Sequence, residues 1–212
     1  MSERDVIVSQ ARYTETEVKL YVPDLGAVEK RLQAVGAQVI APRVFERNVR
    51  YDDASGGLVS SGQVLRLRQD TRVRLTYKGQ GAVLAGSALT RFEAEVEVSD
   101  FDAMQAILTR LGYTPYMVYE KYRTTYALSG TEVVLDELPY GNFVEIEGEP
   151  EVIETVIARL DLTGARRYPR SYAALFDSVR HHLGLAFTDL TFANFSGIEV
   201  PARAFAEPGE GD

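Results

Sequence analysis

Charged and aliphatic residues alternate along several short segments of the chain. Between Tyr13 and Val22, the residues Glu15, Glu17 and Lys19 fall on one face of an extended strand and aliphatic residues fall on the other. Because successive side chains of a strand point to opposite faces, this pattern predicts a strand with one charged and one apolar face. Same-face positions are about 7 Å apart, which suits a divalent cation held beside an anionic ligand. A solvent-exposed strand with surface ion pairs would show the same pattern.

Eight segments in all are predicted to be strands, and most of them carry charges of one sign on one face. The acidic positions are Glu15, Glu17, Glu93, Glu95, Glu97, Asp136, Glu145 and Glu147, and the basic positions are Arg66, Arg68, Arg72, Arg74, Lys78, Lys121 and Arg123. A surface sheet with random ion pairs would mix the signs along each strand. Closing the sheet would line its interior with carboxylates in one sector and cations in another. Such buried charge is costly unless it is paired or bound to ions, so the pattern implies water, metal and an anionic ligand inside.

An internal repeat underlies this pattern. The interval from Glu17 to Gly36 equals that from Glu93 to Gly112, and each interval holds one predicted helix. We interpret the repeat as two β-α-β-β-β halves that together supply the eight strands. A chance likeness between two strand–helix units is the alternative. Two further helices are predicted, one beginning at Pro150 and one spanning residues 171–183.

Composition narrows the class of protein. With 212 residues, 45% hydrophobic and 25% charged, the chain has the composition of an ordinary globular protein. The absence of cysteine excludes disulfides, zinc–thiolate sites and thiol catalysis. A net charge of −8 argues against a nucleic-acid partner bound through bulk electrostatics. No apolar run approaches the ~18 residues of a membrane span, and no signal-peptide pattern is visible, so we expect no membrane partner and a cytoplasmic location.

The charged motifs resemble those of a known family. Glu15, Glu17 and Lys19 form an E-x-E-x-K motif similar to the signature of the CYTH family, also called triphosphate tunnel metalloenzymes. This family includes class IV adenylyl cyclases, thiamine triphosphatases and inorganic triphosphatases. The resemblance continues in order over roughly residues 12–180, through the segments 65–68, 76–78, 91–97, 120–123, 135–137, 143–147 and 171–172.

The resemblance implies an α+β fold, an eight-stranded antiparallel β-barrel or tunnel with helices packed outside. It implies a triphosphate bound with Mg²⁺ or Mn²⁺. The implied metal ligands are Glu15, Glu17, Glu145 and Glu147, with Asp136 and Glu95 as further candidates, and the implied phosphate clamp is Lys19, Arg66, Arg68, Lys78, Lys121 and Arg123. Hard divalent cations take oxygen ligands, and Arg meets phosphate oxygens in bidentate fashion. We expect this domain to span residues 1–184 and residues 185–212 to form a weakly structured tail.

Three functions stay open at this point. The first is a metal-dependent triphosphatase acting on inorganic or organic triphosphate, and the second is a class IV-type adenylyl cyclase forming cyclic AMP and pyrophosphate. The third is a non-catalytic module that binds polyphosphate or nucleotide. The carboxylate set disfavours the third, because simple anion binding needs no cluster of acids. The segment 79–88 offers no evident aromatic or amide platform for adenine, which favours the hydrolase. A homodimer is left open.

Overall fold

Eight antiparallel strands close into a barrel in the computed structural model, which describes residues 13–206. The strands are β1 (Thr14–Tyr21), β2 (Gln38–Asp52), β3 (Val64–Gln69), β4 (Val73–Lys78), β5 (Ala82–Val83), β6 (Leu89–Val98), β7 (Thr114–Leu128), β8 (Thr131–Leu138) and β9 (Gly141–Glu147). Their order around the barrel is β1-β9-β8-β7-β2-β3-β4-β6, and pairing of β6 with β1 closes it. The short β5 is additional and pairs with β6. The predicted eight-stranded antiparallel barrel is therefore confirmed.

The helices lie outside the barrel and follow the predicted repeat. They are α1 (Leu25–Ala34), α2 (Gly57–Ser60), α3 (Phe101–Arg110), α4 (Pro150–Arg159) and α5 (Tyr172–Leu183), with 3-10 turns at Ala85–Ser87 and Ala202–Phe205. Asp24 and Asp100 cap α1 and α3 by accepting a hydrogen bond from the amide three residues on. Both helices are followed by a glycine with positive φ, Gly36 at 78° and Gly112 at 95°. The halves β1-α1-β2-β3-β4 and β6-α3-β7-β8-β9 thus share one plan.

Apolar residues form the outer face of the barrel wall and pack under the helices. Val18 and Leu20 of β1 are buried together with Ile146 of β9, beneath Leu32 of α1 and Ile153 of α4. Each fully buried aliphatic side chain of this kind contributes about 1.5–3 kcal/mol relative to an exposed one. A shift of the strand register by one residue would turn these side chains into the lumen and the charged ones out under the helices. Packing outside the barrel therefore holds the charged faces inward.

The strands β2 and β7 are longer than the sequence predicts. We expected strands near residues 44–51 and 116–127, whereas β2 spans 15 residues from Gln38 and β7 spans 15 residues from Thr114. Their pairing is interrupted by register shifts between Val39 and Ala41 and between Ala41 and Val44. Such irregularities break the two-residue period. The extra length of β2 was therefore invisible to a search for strict alternation.

The segment after α5 is packed against the barrel, which corrects the expectation of a weakly structured tail for residues 185–206. Regular structure is sparse there, but Leu190, Phe195 and Phe205 are buried in one cluster with α5. Leu190 also exchanges backbone hydrogen bonds with β7, donating to Val118 O and accepting from Glu120 N at 2.9 Å each. Residues 207–212 lie outside the described residues, and the domain boundary at residue 184 stays a prediction. Across residues 13–206, no helix is long and apolar enough to cross a membrane.

Candidate active site

A cavity of about 390 Å³ runs through the lumen and is lined mainly by charged side chains. The strand order places the acidic strands β6, β1, β9 and β8 next to one another, and the basic strands β7, β2, β3 and β4 next to one another. The predicted separation of charge into two sectors is therefore confirmed. Lys19 and Arg91 are the basic residues that line the acidic sector, and Glu46 is an acidic residue within the basic one.

Eleven of the twelve predicted site residues line this cavity. They are Glu15, Glu17, Lys19, Arg66, Arg68, Lys78, Glu95, Lys121, Arg123, Glu145 and Glu147. These residues were carried over from the family motifs, and their strand parity agrees with their position, because in a closed barrel residues of one parity face a common interior. Their predicted roles as metal ligands and phosphate clamp stay predictions.

Asp136, the twelfth residue, is not among the residues that line the cavity. Its carboxylate is fully buried and accepts hydrogen bonds from Lys121 Nζ at 3.0 Å, Arg123 Nε at 2.7 Å and Tyr172 Oη at 2.8 Å. These bonds hold Lys121 and Arg123 in place. The role of Asp136 as a further candidate metal ligand stays a prediction.

Lys19 contacts two carboxylates of the acidic sector. Its ammonium group lies 3.3 Å from Glu17 and 3.0 Å from Glu145, and it donates to the carbonyl oxygen of Arg170 at 3.2 Å. Burial alone would lower the pKa of Lys19, but the two carboxylates outweigh it and raise the pKa to about 12. Burial likewise opposes ionisation of Glu145, yet Lys19 and Arg123 hold its pKa well below the usual range. Both groups are therefore charged at neutral pH.

A second group of ion pairs joins β4 to the acidic sector. Lys78 Nζ lies 2.8 Å from Glu15 and 2.6 Å from Glu93, and Arg91 Nε lies 3.4 Å from Glu15. Burial and a hydrogen bond shared with Glu93 raise the pKa of Glu15, although Lys78 opposes the shift. Two carboxylates therefore face two cations in this group, with Lys78 contacting both carboxylates and Arg91 contacting Glu15.

A row of three carboxylates crosses the acidic sector at one mouth of the barrel. Glu17, Glu147 and Glu132 are direct cross-strand neighbours on β1, β9 and β8. Like charges in this position repel. The pKa of Glu147 is raised to about 8, through partial shielding from water and repulsion by other carboxylates, among them Glu15 and Glu132. Because Glu147 is exposed at the mouth, we attribute more of this shift to repulsion than to loss of water.

These oxygen-only donors fit a hard divalent cation. The raised pKa of Glu147 marks a surplus of negative charge that a bound cation would neutralise, and Mg²⁺ and Mn²⁺ take carboxylate and water oxygens. Within the described part of the chain, no three acidic or histidine side chains are already arranged around a common point as a metal site requires. The carboxylates are engaged with Lys19, Lys78 and Arg91 instead.

Carboxylates contact the guanidinium groups of the basic sector. Arg68 lies 3.2 Å from Glu46 and 2.9 Å from Glu95, and Arg123 lies 2.6 Å from Glu145. Glu46 is fully buried, and burial would raise its pKa, but Lys121, Arg123 and Arg68 hold it far below the usual range. Glu95 also accepts a hydrogen bond from Thr76 Oγ1 at 2.8 Å. Glu46 and Glu95 therefore fix the directions of the guanidinium groups.

Several cavity-lining residues were missing from the predicted set. They are Glu46, Arg50, Arg91, Tyr119 and Glu132. Each lies an even number of positions from an inward-facing residue on its own strand, as Tyr119 does from Lys121 and Glu132 from Asp136. Parity applied to every position, rather than to family motifs alone, would have found them.

Comparison with known proteins places the chain in a family. The family model described as the CYTH domain matches residues 13–163. The protein "Putative adenylate cyclase MJ0240" of Methanocaldococcus jannaschii is 27% identical over 135 residues, which cover 63% of this chain and 75% of that protein.

Two solved structures share the fold. The PH1819 protein of Pyrococcus horikoshii superposes with a TM-score of 0.63 at 27% identity, covering 74% of this chain and 95% of that one. The putative adenylyl cyclase HpAC1 of Hippeastrum, described as having a dominant triphosphatase activity, superposes with a TM-score of 0.59 at 21% identity, covering 77% and 95%. The family match extends over the whole barrel and the helices α1 to α4, and with it the chain belongs to the CYTH family.

Proposed function

We propose that this protein is a metal-dependent hydrolase that binds a triphosphate in the barrel lumen and cleaves it with water. The observation that carries the proposal is the single cavity in which a sector of cations faces a sector of carboxylates. A protein that only binds an anion needs the cations alone. A carboxylate sector beside them makes sense when a divalent cation accompanies the anion.

The basic sector would bind the phosphate chain. Arg66, Arg68 and Arg123 offer planar guanidinium groups that donate in pairs to phosphate oxygens, and Lys78 and Lys121 act as point charges. Phosphoryl transfer depends chiefly on positioning and on neutralising charge in the transition state. Buried Glu46 and Asp136 hold these cations in position before the substrate arrives, which reduces the reorganisation that binding requires.

The acidic sector would hold the metal. We assign Glu15, Glu17, Glu145 and Glu147 as its ligands, with Glu95 a further candidate that must first leave Arg68. When bound, Mg²⁺ or Mn²⁺ would lower the pKa of an attacking water and offset charge on the phosphate. The ion pairs of Lys19 and Lys78 would then exchange partners, the carboxylates turning to the cation and the ammonium groups to phosphate oxygens.

An adenylyl cyclase activity is the second candidate. The relative from M. jannaschii carries that name, and the cyclase reaction, in which the ribose 3′-hydroxyl attacks the α-phosphorus, needs the same charged cavity. HpAC1 is described as a putative adenylyl cyclase with a dominant triphosphatase activity. The segment 82–87 carries β5, which pairs with β6, and a 3-10 turn. It consists of alanine, valine, leucine, glycine and serine and holds no aromatic side chain. This composition favours the hydrolase.

One assay separates these functions. The protein is incubated with inorganic triphosphate, ATP or thiamine triphosphate, with Mg²⁺ or Mn²⁺, and the products are identified by chromatography. We expect orthophosphate from at least one substrate and no turnover in EDTA. Cyclic AMP and pyrophosphate from ATP would establish the cyclase instead, and binding without any product would leave only the binding module.

A further inference from the structure

Arg50 is an arginine of the lumen without an acidic partner. It lies on the inward face of β2, lines the cavity and is only 9% exposed. Its Nε is buried without a hydrogen-bond partner. The contact that holds it is a stacking of its guanidinium group on the ring of Tyr116, at 5.5 Å from the ring centre. A buried guanidinium group of this kind is costly unless an anion accompanies it.

The other cations of the cavity are all paired. Within residues 13–206, every other cavity-lining Lys or Arg has a carboxylate within 4.0 Å, namely Lys19, Arg66, Arg68, Arg72, Arg74, Lys78, Arg91, Lys121 and Arg123. Asp52, two positions after Arg50, is occupied by α2 and accepts hydrogen bonds from Leu58 N at 2.9 Å and Val59 N at 3.0 Å. The lumen thus supplies a carboxylate for each of these cations but not for Arg50.

The neighbours of Arg50 are also hydrogen-bond donors. Arg66 is its direct cross-strand partner on β3 and donates to Tyr119 Oη at 3.0 Å. The hydroxyl proton of Tyr119 has no acceptor among the described residues, and Tyr119 lines the cavity. Asn48, opposite Tyr119 in register, is fully buried, and neither its amide nitrogen nor its amide oxygen has a partner. Arg50 and Tyr119 therefore present donors to the cavity that this chain leaves unused, whereas the unpaired amide of Asn48 does not line the cavity.

We propose that Arg50 and Tyr119 form a terminal phosphate subsite that receives the third phosphoryl group of the substrate. The subsite rests on the proposed triphosphatase function and specifies its substrate class, because it selects triphosphates over diphosphates. The paired cations of the clamp bind the phosphoryl groups that both ligands share. The unpaired donors gain a partner only when the phosphate chain of the ligand is long enough to reach them. Their interaction therefore favours triphosphate over diphosphate.

The test measures affinity for imidotriphosphate and imidodiphosphate, whose P–N–P links resist hydrolysis, by titration calorimetry with Mg²⁺. For Arg50→Gln we expect the affinity for imidotriphosphate to fall about ten- to a hundredfold, the range expected for a lost charge-assisted hydrogen bond. The affinity for imidodiphosphate should change less than about threefold, on the order of ordinary variation among neutral substitutions. Arg50→Lys should restore part of the lost affinity, because lysine keeps the positive charge but lacks the paired N–H donors of the guanidinium group.

Arg47→Gln is the matched control. Arg47 lies on the opposite face of the same strand, over the ring of Phe101, so its loss removes the same charge without touching the lumen. Both affinities should stay unchanged in this variant. The melting temperature of ligand-free Arg50→Gln should equal or exceed that of the wild type, since the variant removes an unpaired buried charge.

Three results would overturn the subsite. Equal loss of affinity for both analogues in Arg50→Gln would mean that Arg50 acts only through the overall positive charge of the cavity. No loss of affinity for either analogue would mean that Arg50 binds no phosphate. A fall in the ligand-free melting temperature together with unchanged selectivity would show a structural role. If the wild-type protein bound neither analogue, the proposed triphosphate function would itself fail, and this subsite with it.

Discussion

Glu15 and Glu17 each share their cations with a second carboxylate. Lys78 pairs with both Glu15 and Glu93, and Lys19 with both Glu17 and Glu145. Replacing Glu15 or Glu17 by Gln therefore leaves neither Lys78 nor Lys19 without a carboxylate, and the fold should persist. Loss of a metal ligand should nevertheless lower turnover at least about a hundredfold, since metal ions contribute several kcal/mol to such reactions.

Steady-state assays with triphosphate and Mg²⁺ test this expectation, with melting temperature as the measure of folding. Glu137→Gln is the control, because Glu137 pairs with Arg43 outside the barrel at 2.7 Å. Full turnover in both Glu15→Gln and Glu17→Gln would remove the metal-site assignment, as would activity that EDTA leaves unaffected.

Glu147 should make the stability of the metal-free protein depend on pH. Around it stand Glu15 and Glu17 of β1, Glu132 of β8, Glu93 of β6 and Lys78 of β4. Its pKa is about 8 in the folded protein against 4.5 ordinarily, so between these values the folded state binds more protons than the unfolded state. The stabilisation that protonated Glu147 contributes to the folded state is complete below pH 4.5 and is lost as the pH rises through about 8.

Melting curves between pH 6 and pH 9 in EDTA should therefore show a falling melting temperature. In Glu147→Gln the fall should be smaller, because the glutamine does not ionise. An equally steep fall in both proteins would place the titrating group elsewhere.

Asp136 should matter for stability rather than for metal affinity. Removing its charge in Asp136→Asn leaves Lys121 and Arg123 with fewer buried partners, and breaking a buried pair typically costs about 3–5 kcal/mol. Urea denaturation should show a loss of that order in the free energy of unfolding. Unchanged stability together with lost Mg²⁺ binding would instead support the metal-ligand role predicted from the family motif.

At the scale of secondary structure elements, the sequence predicts the strands best where alternation is strict. The eight barrel strands, and the two helices that end before Gly36 and Gly112, all followed from local pattern. The first residues of β2 did not, because Gln38–Arg43 owes its strand conformation to irregular pairing with β7 rather than to its own period. The sign of the charges on each strand also carried information on topology, because it predicted the two sectors that the strand order confirms.

The C-terminal segment was the element that local pattern described least well. Its apolar residues are irregularly spaced and match neither a helical nor a strand period, so the sequence alone indicated weak structure. Their burial depends on a surface formed by α5 and the outer side of the barrel. Long-range packing of this kind leaves no periodic signal.

Phe205 tests the importance of that packing. It is 1% exposed and lies within 6 Å of the rings of Tyr21, Tyr140, Phe143 and Tyr168. Phe205→Ala should lower the free energy of unfolding by about 3–5 kcal/mol, the usual cost of removing a buried ring. Denaturation by urea measures the change, and Phe45→Ala, at a more exposed ring outside the barrel, serves as control. A loss below about 1 kcal/mol would fit a loosely attached segment.

For the whole molecule, the charge sectors are less strained than their sequence pattern alone indicates. We expected like charges in the ligand-free lumen to repel, yet most cations reach a carboxylate of the other sector, as Arg68 reaches Glu95 and Arg123 reaches Glu145. Repulsion is concentrated at the carboxylate row of Glu17, Glu147 and Glu132, and an unpaired cation lies at Arg50. Ligand binding should therefore stabilise the fold chiefly by neutralising the charge at these two places. A metal would do so at the carboxylate row, and a phosphate at Arg50.

Thermal stability should consequently distinguish triphosphate from a simpler salt. A ligand that binds only the folded state stabilises it by about 2.7 kcal/mol at a hundredfold excess over its Kd. For a protein of this size, that corresponds to a rise in melting temperature of about 5–10 °C. Triphosphate with Mg²⁺ should produce this rise, whereas orthophosphate at equal ionic strength should produce much less, because one phosphoryl group spans only part of the clamp. In an ordinary charged sheet both salts would act alike by screening. Equal shifts with the two salts would therefore contradict binding in the lumen, whereas a large shift with triphosphate alone, reduced in Arg66→Ala, would locate it there.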